Sequence, residues 1–135
     1  MQTNEPAWKL EFKKELNNLM ANIIKSLNKS LSKLPEKPKF YCTDKFPQSL
    51  YLTAVLAGIP NLEFTFSISL NPKDINPGFY LSLHYQKVGE KPYSDQHFIE
   101  VSKNGYLVAR ALEQATNQGI VTVYQTIKRA GIKVS

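Results

Sequence analysis

Leu62-Glu63-Phe64-Thr65-Phe66-Ser67-Ile68-Ser69-Leu70 decides the fold. Large apolar side chains alternate with small polar or charged ones over nine positions. A period of two is that of a strand with one buried and one open face. Asn71-Pro72 and then Asn76-Pro77-Gly78 supply turn residues. Phe79, Leu81, Leu83 and Tyr85 then alternate with Tyr80, Ser82, His84 and Gln86, which reads as a second strand. After the loop Gly89-Glu90-Lys91-Pro92, a third strand is expected near 97–102, with Ile99 and Val101 inward. The expected arrangement is a three-stranded antiparallel meander with one apolar face.

Outward from this centre the period changes. Phe12, Leu16, Leu19, Met20, Ile23, Ile24, Leu27, Leu31 and Leu34 recur at spacings of three and four, so residues 5–34 read as one long helix. Asn4 suits its cap, Pro6 its first turn, and Pro35 and Pro38 its stop. Such a helix is roughly 45 Å long and would overhang a compact domain of this size or break near Asn22. Lys39–Thr43 reads as a short strand. Residues 47–57 read as a short helix ending at Gly58, with Leu50, Ala54 and Ala57 on one face. A helix over Tyr106–Gln118 is expected to end at Gly119. Residues 120–130 have strand composition but helical spacing at Ile120, Val123, Tyr124 and Ile127, and they read as a further helix. Lys128-Arg129-Ala130-Gly131-Ile132 has the form of a helix end: basic last turn, glycine cap, returning apolar residue. The expected class is therefore a single α+β domain over 1–135: long N-terminal helix, short helix, three-stranded meander, and C-terminal helices on one sheet face.

With 135 residues, 42% hydrophobic and 21% charged, the chain has the length and composition of one globular domain. The single cysteine, Cys42, excludes an internal disulfide, and His84 and His97 are too few to complete a zinc site with it. No apolar run is long enough to span a membrane, and the opening Met1–Pro6 is polar, so a soluble cytoplasmic protein with no membrane partner and no signal peptide is expected.

The net charge of +6 is unevenly placed: +4 over residues 1–45, −1 over 46–104 and +3 over 105–135. Lys25, Lys29 and Lys33 are spaced by four on the first helix and lead into Lys37 and Lys39; Lys128 and Arg129 close the last helix. Lysines in such rows suit the phosphates of DNA or RNA. They equally suit a solvated helix face.

Catalytic signatures are missing. There is no glycine-rich phosphate loop, no Gly-x-Ser-x-Gly and no His-Glu-x-x-His. Cys42 lies two residues from Asp44 but no histidine is placed beside it, so a packed structural thiol is expected. Asp95 and His97, two apart on a strand, are placed to share a site, whereas His84 points to the opposite face. Glu100-Val101-Ser102-Lys103 has one residue too many for the acid-x-Lys pair of a metal-dependent nuclease, and on a strand Glu100 and Lys103 diverge. No catalytic residue, metal ligand or cofactor is assigned. The stretch Phe98–Ala115, with the two strands before it, resembles the three-strands-plus-helix layout of AP2-type and integrase arm-binding domains. That resemblance covers under a third of the chain and implies DNA contacts from the open sheet face. That face would display Thr65, Ser67, Ser69, Tyr80, Ser82, His84, Gln86 and Glu100, without an Arg or Lys, and no family is assigned.

Two functions are thereby expected ahead of an enzyme. One is a non-catalytic nucleic-acid-binding accessory using the basic helical surfaces. The other is a protein-interaction module (adaptor, small chaperone or regulatory subunit). It would use the long helix through Met20, Ile24 and Leu31, as a homodimer or on another protein, because a small sheet covers only one edge of that helix.

Overall fold

The structure is a computed structural model that describes residues 7–46, 51–70 and 76–134. It has α1 (Ala7–Leu31), then β1 (Lys39–Cys42), β2 (Tyr51–Ala57), β3 (Leu62–Ser69), β4 (Gly78–Lys87) and β5 (Tyr93–Glu100). A small hairpin, β6 (Ser102–Lys103) and β7 (Tyr106–Leu107), leads into α2 (Ala109–Arg129). The first five strands form one antiparallel meander in sequential order. Among the described residues no helix is long and apolar enough to cross a membrane.

The alternation seen in the central strands carries through. Phe64, Phe66, Ile68, Leu81, Leu83 and Val101 are all buried, and Phe66 pairs with Leu83 and Ile68 with Leu81. The third strand begins earlier than expected, at Tyr93, because β5 is an edge strand whose Ser94–His97 are polar on both faces.

The three-stranded meander is corrected to five strands. The expected short helix at 47–57 is instead β2 over Tyr51–Ala57, while Pro47 and Leu50 lie outside the described residues. Leu52, Ala54 and Leu56 are buried while Tyr51 and Val55 are exposed, so a period of two prevails over the weak helical spacing. Gly58 at φ 105° and Asn61 at φ 63° turn the chain into β3; Gly58 is a hairpin residue, not a helix cap. Lys39–Cys42 does form a strand, paired with β2.

The two expected C-terminal helices are one. Tyr106 belongs to the β6–β7 hairpin, whose two-residue loop Asn104-Gly105 takes positive φ at both positions. Gly119 lies inside α2, where it lets α1 approach: a Cβ there would stand 2.8 Å from Ile23 Cδ1. Helix–helix packing thus outweighs the roughly 1 kcal/mol that a glycine costs in a helix. The expected end forms as read, with Ile132 N–H returning to Ile127 O at 3.3 Å and Gly131 at φ 90°.

Both helices pack on the same face of the sheet. Phe12, Leu16, Leu19, Met20, Ile23, Leu27 and Leu31 from α1 join Ala115, Val123 and Ile127 from α2 over Phe40, Leu52, Phe64, Phe66 and Leu81. A 25-residue α1 is about 37 Å long. Five strands are wide enough to cover most of its apolar band, so α1 does not break at Asn22, and of the residues on the two edges only Ile24 stays half-buried. Two asparagines tie α1 to β1 and to the segment that follows β1. Asn28 accepts from Phe40 N–H at 2.8 Å and donates to Phe40 O at 3.2 Å; Asn17 does the same for Phe46 at 2.9 and 3.0 Å.

Candidate functional site

Strand register determines which charges meet. Lys39 pairs with Ala57, Leu62 with Lys87 and Tyr85 with Tyr93, so the start of β1, the β2–β3 turn and the β4–β5 turn share one end of the sheet. The Asn28–Phe40 bonds bring the C-terminal end of α1 there. The C-terminal end of α2 arrives at the same end, with Arg129 stacked 4.5 Å over the Tyr93 ring and Gly131 against Lys87.

This pole collects Lys29, Lys33, Lys37 and Lys39 from α1 and its exit. Lys87 and Lys91 come from the β4–β5 turn, and Lys128, Arg129 and Lys133 from the end of α2. Against these nine stand three acids, Glu36, Glu63 and Glu90. The balance equals the whole chain's +6, leaving the rest of the sequence neutral. All of these cations except Lys87 are exposed. Both helix C-termini also point here, each contributing about half a negative charge. That offsets only a small part of the excess. Aromatic rings orient three of the cations: Lys39 lies 5.6 Å from the Tyr41 centroid, Lys128 5.0 Å from Tyr124, and Arg129 over Tyr93.

Of the basic residues singled out by spacing, the structure therefore gathers Lys29, Lys33, Lys37, Lys39, Lys128 and Arg129 at one end. Lys25 lies at the border of this group, one turn before Lys29, on the wall of a groove of about 390 Å³ between α1 and β1 that Lys39 also lines, with Ile24, Tyr41, Cys42 and Lys45. Lys33 lies beyond the last turn of α1, so the row of three does not continue as one helical stripe. Met20 and Leu31 are 2% and 1% exposed, inside the chain's own core; Ile24 is half-buried on the groove wall.

Cys42 is half-buried, its thiol 3.7 Å from Asp44 O, and burial pushes its pKa up, so it is held in the poorly nucleophilic thiol form. His84 lies on the open sheet face with Nδ1 2.9 Å from Ser94 Oγ. His97 is on the helix-side face, its Nε2 3.0 Å from Asp95 Oδ2, so the two histidines do not converge. Asp95 also accepts from Tyr93 Oη at 3.4 Å and from Gln96 N–H at 2.9 Å, and chiefly that backbone bond holds its pKa below the usual carboxylate value. Glu100 accepts from Ser102 Oγ at 2.8 Å, and Lys103 belongs to a different sheet. Asp74, a further acid that a metal-dependent nuclease site could draw on, lies outside the described residues. Among the described residues no group of three His, Cys, Asp or Glu side chains is placed to hold a metal.

The open sheet face carries a shallow basin lined by Thr65, Ser67, Ser82, His84, Ser94 and Gln96, without lysine or arginine. Spacing alone did not reveal the shared pole, because Lys87, Lys91 and Lys133 reach it only through the β3–β4–β5 register and the return of α2. Comparison with protein-family models, with curated proteins and with solved structures gives no match for this chain.

Proposed function

We propose that the chain is a non-catalytic nucleic-acid-binding protein that holds the phosphate backbone against its basic pole. The observation that carries this reading is the location of the entire +6 excess at one end of the sheet, on three separate segments of the chain. A polyanion laid across that end meets cations from α1, the β4–β5 turn and α2 together. Phosphate contacts position a nucleic acid without reading its sequence, and among the described strand residues the open sheet face adds only Lys39, itself part of the pole, as a cation for guanine. Binding is accordingly expected to be weakly selective for sequence and strongly dependent on salt.

The test is fluorescence anisotropy with labelled mixed-sequence single-stranded RNA and duplex DNA. Lys29→Gln/Lys33→Gln/Lys39→Gln and, separately, Lys128→Gln/Arg129→Gln should each weaken binding at least several-fold. Lys103→Gln/Arg110→Gln, at the opposite end, should bind as the unmodified chain does. Equal affinity in all three variants rejects the pole as the site.

A further inference from the structure

The two edges of the meander are finished differently. On β1, the backbone N–H and C=O of Phe40 that face away from β2 are taken up by the amide of Asn28, which stands where another strand would. On β5, among the described residues, no strand lies outside it in the sheet order. The bond from Val101 N–H to Pro77 O sets the phase of the β4–β5 ladder. Residues 94, 96, 98 and 100 therefore direct their N–H and C=O groups outward. An eight-residue edge, about 27 Å long, is a template for strand addition.

At the middle of that edge, Asp95 Oδ1 accepts the outward N–H of Gln96 at 2.9 Å. The other carboxylate oxygen is held by His97 Nε2 at 3.0 Å and Tyr93 Oη at 3.4 Å. The three side chains alternate along one face of β5 and fix the carboxylate beside the backbone. Tyr93 is itself held between the Tyr85 ring, 5.0 Å away, and the Arg129 guanidinium.

We propose that Tyr93, Asp95 and His97 form a guard that stops β5 from pairing with β5 of a second copy of this chain. The vulnerable register is antiparallel and centred on Gln96, because the edge is self-complementary there. Gln96 would exchange both backbone bonds with its counterpart, Ser94 would lie opposite Phe98, and no like charges would face each other. While Asp95 occupies the Gln96 N–H, that exchange is blocked at its centre. Edge strands elsewhere are commonly protected by lysine, proline or bulges; here a carboxylate bonded back to the strand does it.

Size-exclusion chromatography with light scattering over micromolar to roughly millimolar concentration tests this, alongside far-ultraviolet circular dichroism for folding. The unmodified chain and Asp95→Asn, which keeps the Oδ1 acceptor, should run as the 15.3 kDa monomer. Asp95→Ala should shift to a dimer or larger, and Asp95→Val carries the same expectation if the alanine chain misfolds. Adding Gln96→Pro to either removes the outward N–H and should restore the monomer, since proline is tolerated on an edge. A monomeric acceptor-free variant at all concentrations overturns the proposal. So does association that survives Gln96→Pro, or an unmodified chain already paired through β5.

Discussion

Replacing Asn28 by alanine should loosen the junction that carries four of the nine cations of the basic pole. Asn28 makes two hydrogen bonds to Phe40, and Phe40 is 1% exposed, so its freed N–H and C=O have little access to water. A buried polar group left unsatisfied costs about 1–3 kcal/mol, and a made bond contributes a net 0.5–1.5 kcal/mol. Partial entry of water at the half-buried Asn28 position brings the expected loss to about 2 kcal/mol. For a domain of this size that lowers Tm by roughly 6–8 °C. Asn28→Asp keeps the acceptor for Phe40 N–H but loses the donor to Phe40 O, and should cost about half as much. Urea denaturation followed by circular dichroism measures both, with the slope unchanged if only stability has moved. A loss below about 0.5 kcal/mol for Asn28→Ala would show that the amide does not hold β1 to α1, and that Lys29, Lys33 and Lys39 are positioned by something else.

Gly119→Ala should stay within about 1 kcal/mol of the unmodified chain in the same assay. The gain in helix propensity opposes a small shift of the Ile23 methyl. Gly119→Leu should cost about 2–3 kcal/mol by forcing α1 and α2 apart. The Asp95 carboxyl, followed by NMR titration, should have a pKa below the ordinary carboxylate value, mainly because Gln96 N–H donates to it. A carboxyl depressed on folding stabilises the fold above its unfolded-state pKa, and that contribution disappears as pH falls through the folded-state value. In His97→Gln most of the depression should remain, whereas in Gln96→Pro most should be lost; the reverse order would mean that the His97 contact, not the backbone bond, dominates.

The central hairpin was legible because both of its faces are chemically distinct along its whole length: Phe64, Phe66, Ile68, Leu81 and Leu83 never share a face with Thr65, Ser67 or Ser82. The same rule applied to Tyr51–Ala57 would have found β2. There, Leu50, Ala54 and Ala57 offered a helical spacing, and Val55, an apolar residue on the open face, blurred the alternation. Asn104-Gly105 is a strong local hairpin signal that the alanine-rich run after it obscured. Gly119 was read as a stop because a glycine's intrinsic cost is visible in a sequence and the Ile23 contact that offsets it is not. The apolar band of α1 was read fully, but its covering depends on sheet width; with β2 read as a helix and β1 not joined to the sheet, one edge of the band was left seemingly bare. Six of the seven basic residues chosen by spacing do meet at one end. The fold brings them there for a reason spacing does not contain: the C-termini of both helices and two strand turns lie at the same end of the meander. The Asp95–His97 contact followed directly from their separation by two on a strand, whereas its attachment to Gln96 N–H depends on β5 being an edge.

The salt dependence of nucleic-acid affinity tests the basic pole most directly. Engagement of about four phosphates by its exposed cations predicts a slope of log K against log salt near −3 to −4 on duplex DNA, and nearer −3 on a single strand. Lys128→Gln/Arg129→Gln should flatten that slope by about one to two. An affinity that is unmeasurable at low salt, or a slope near zero that the substitutions leave unchanged, would contradict phosphate binding at this end of the molecule.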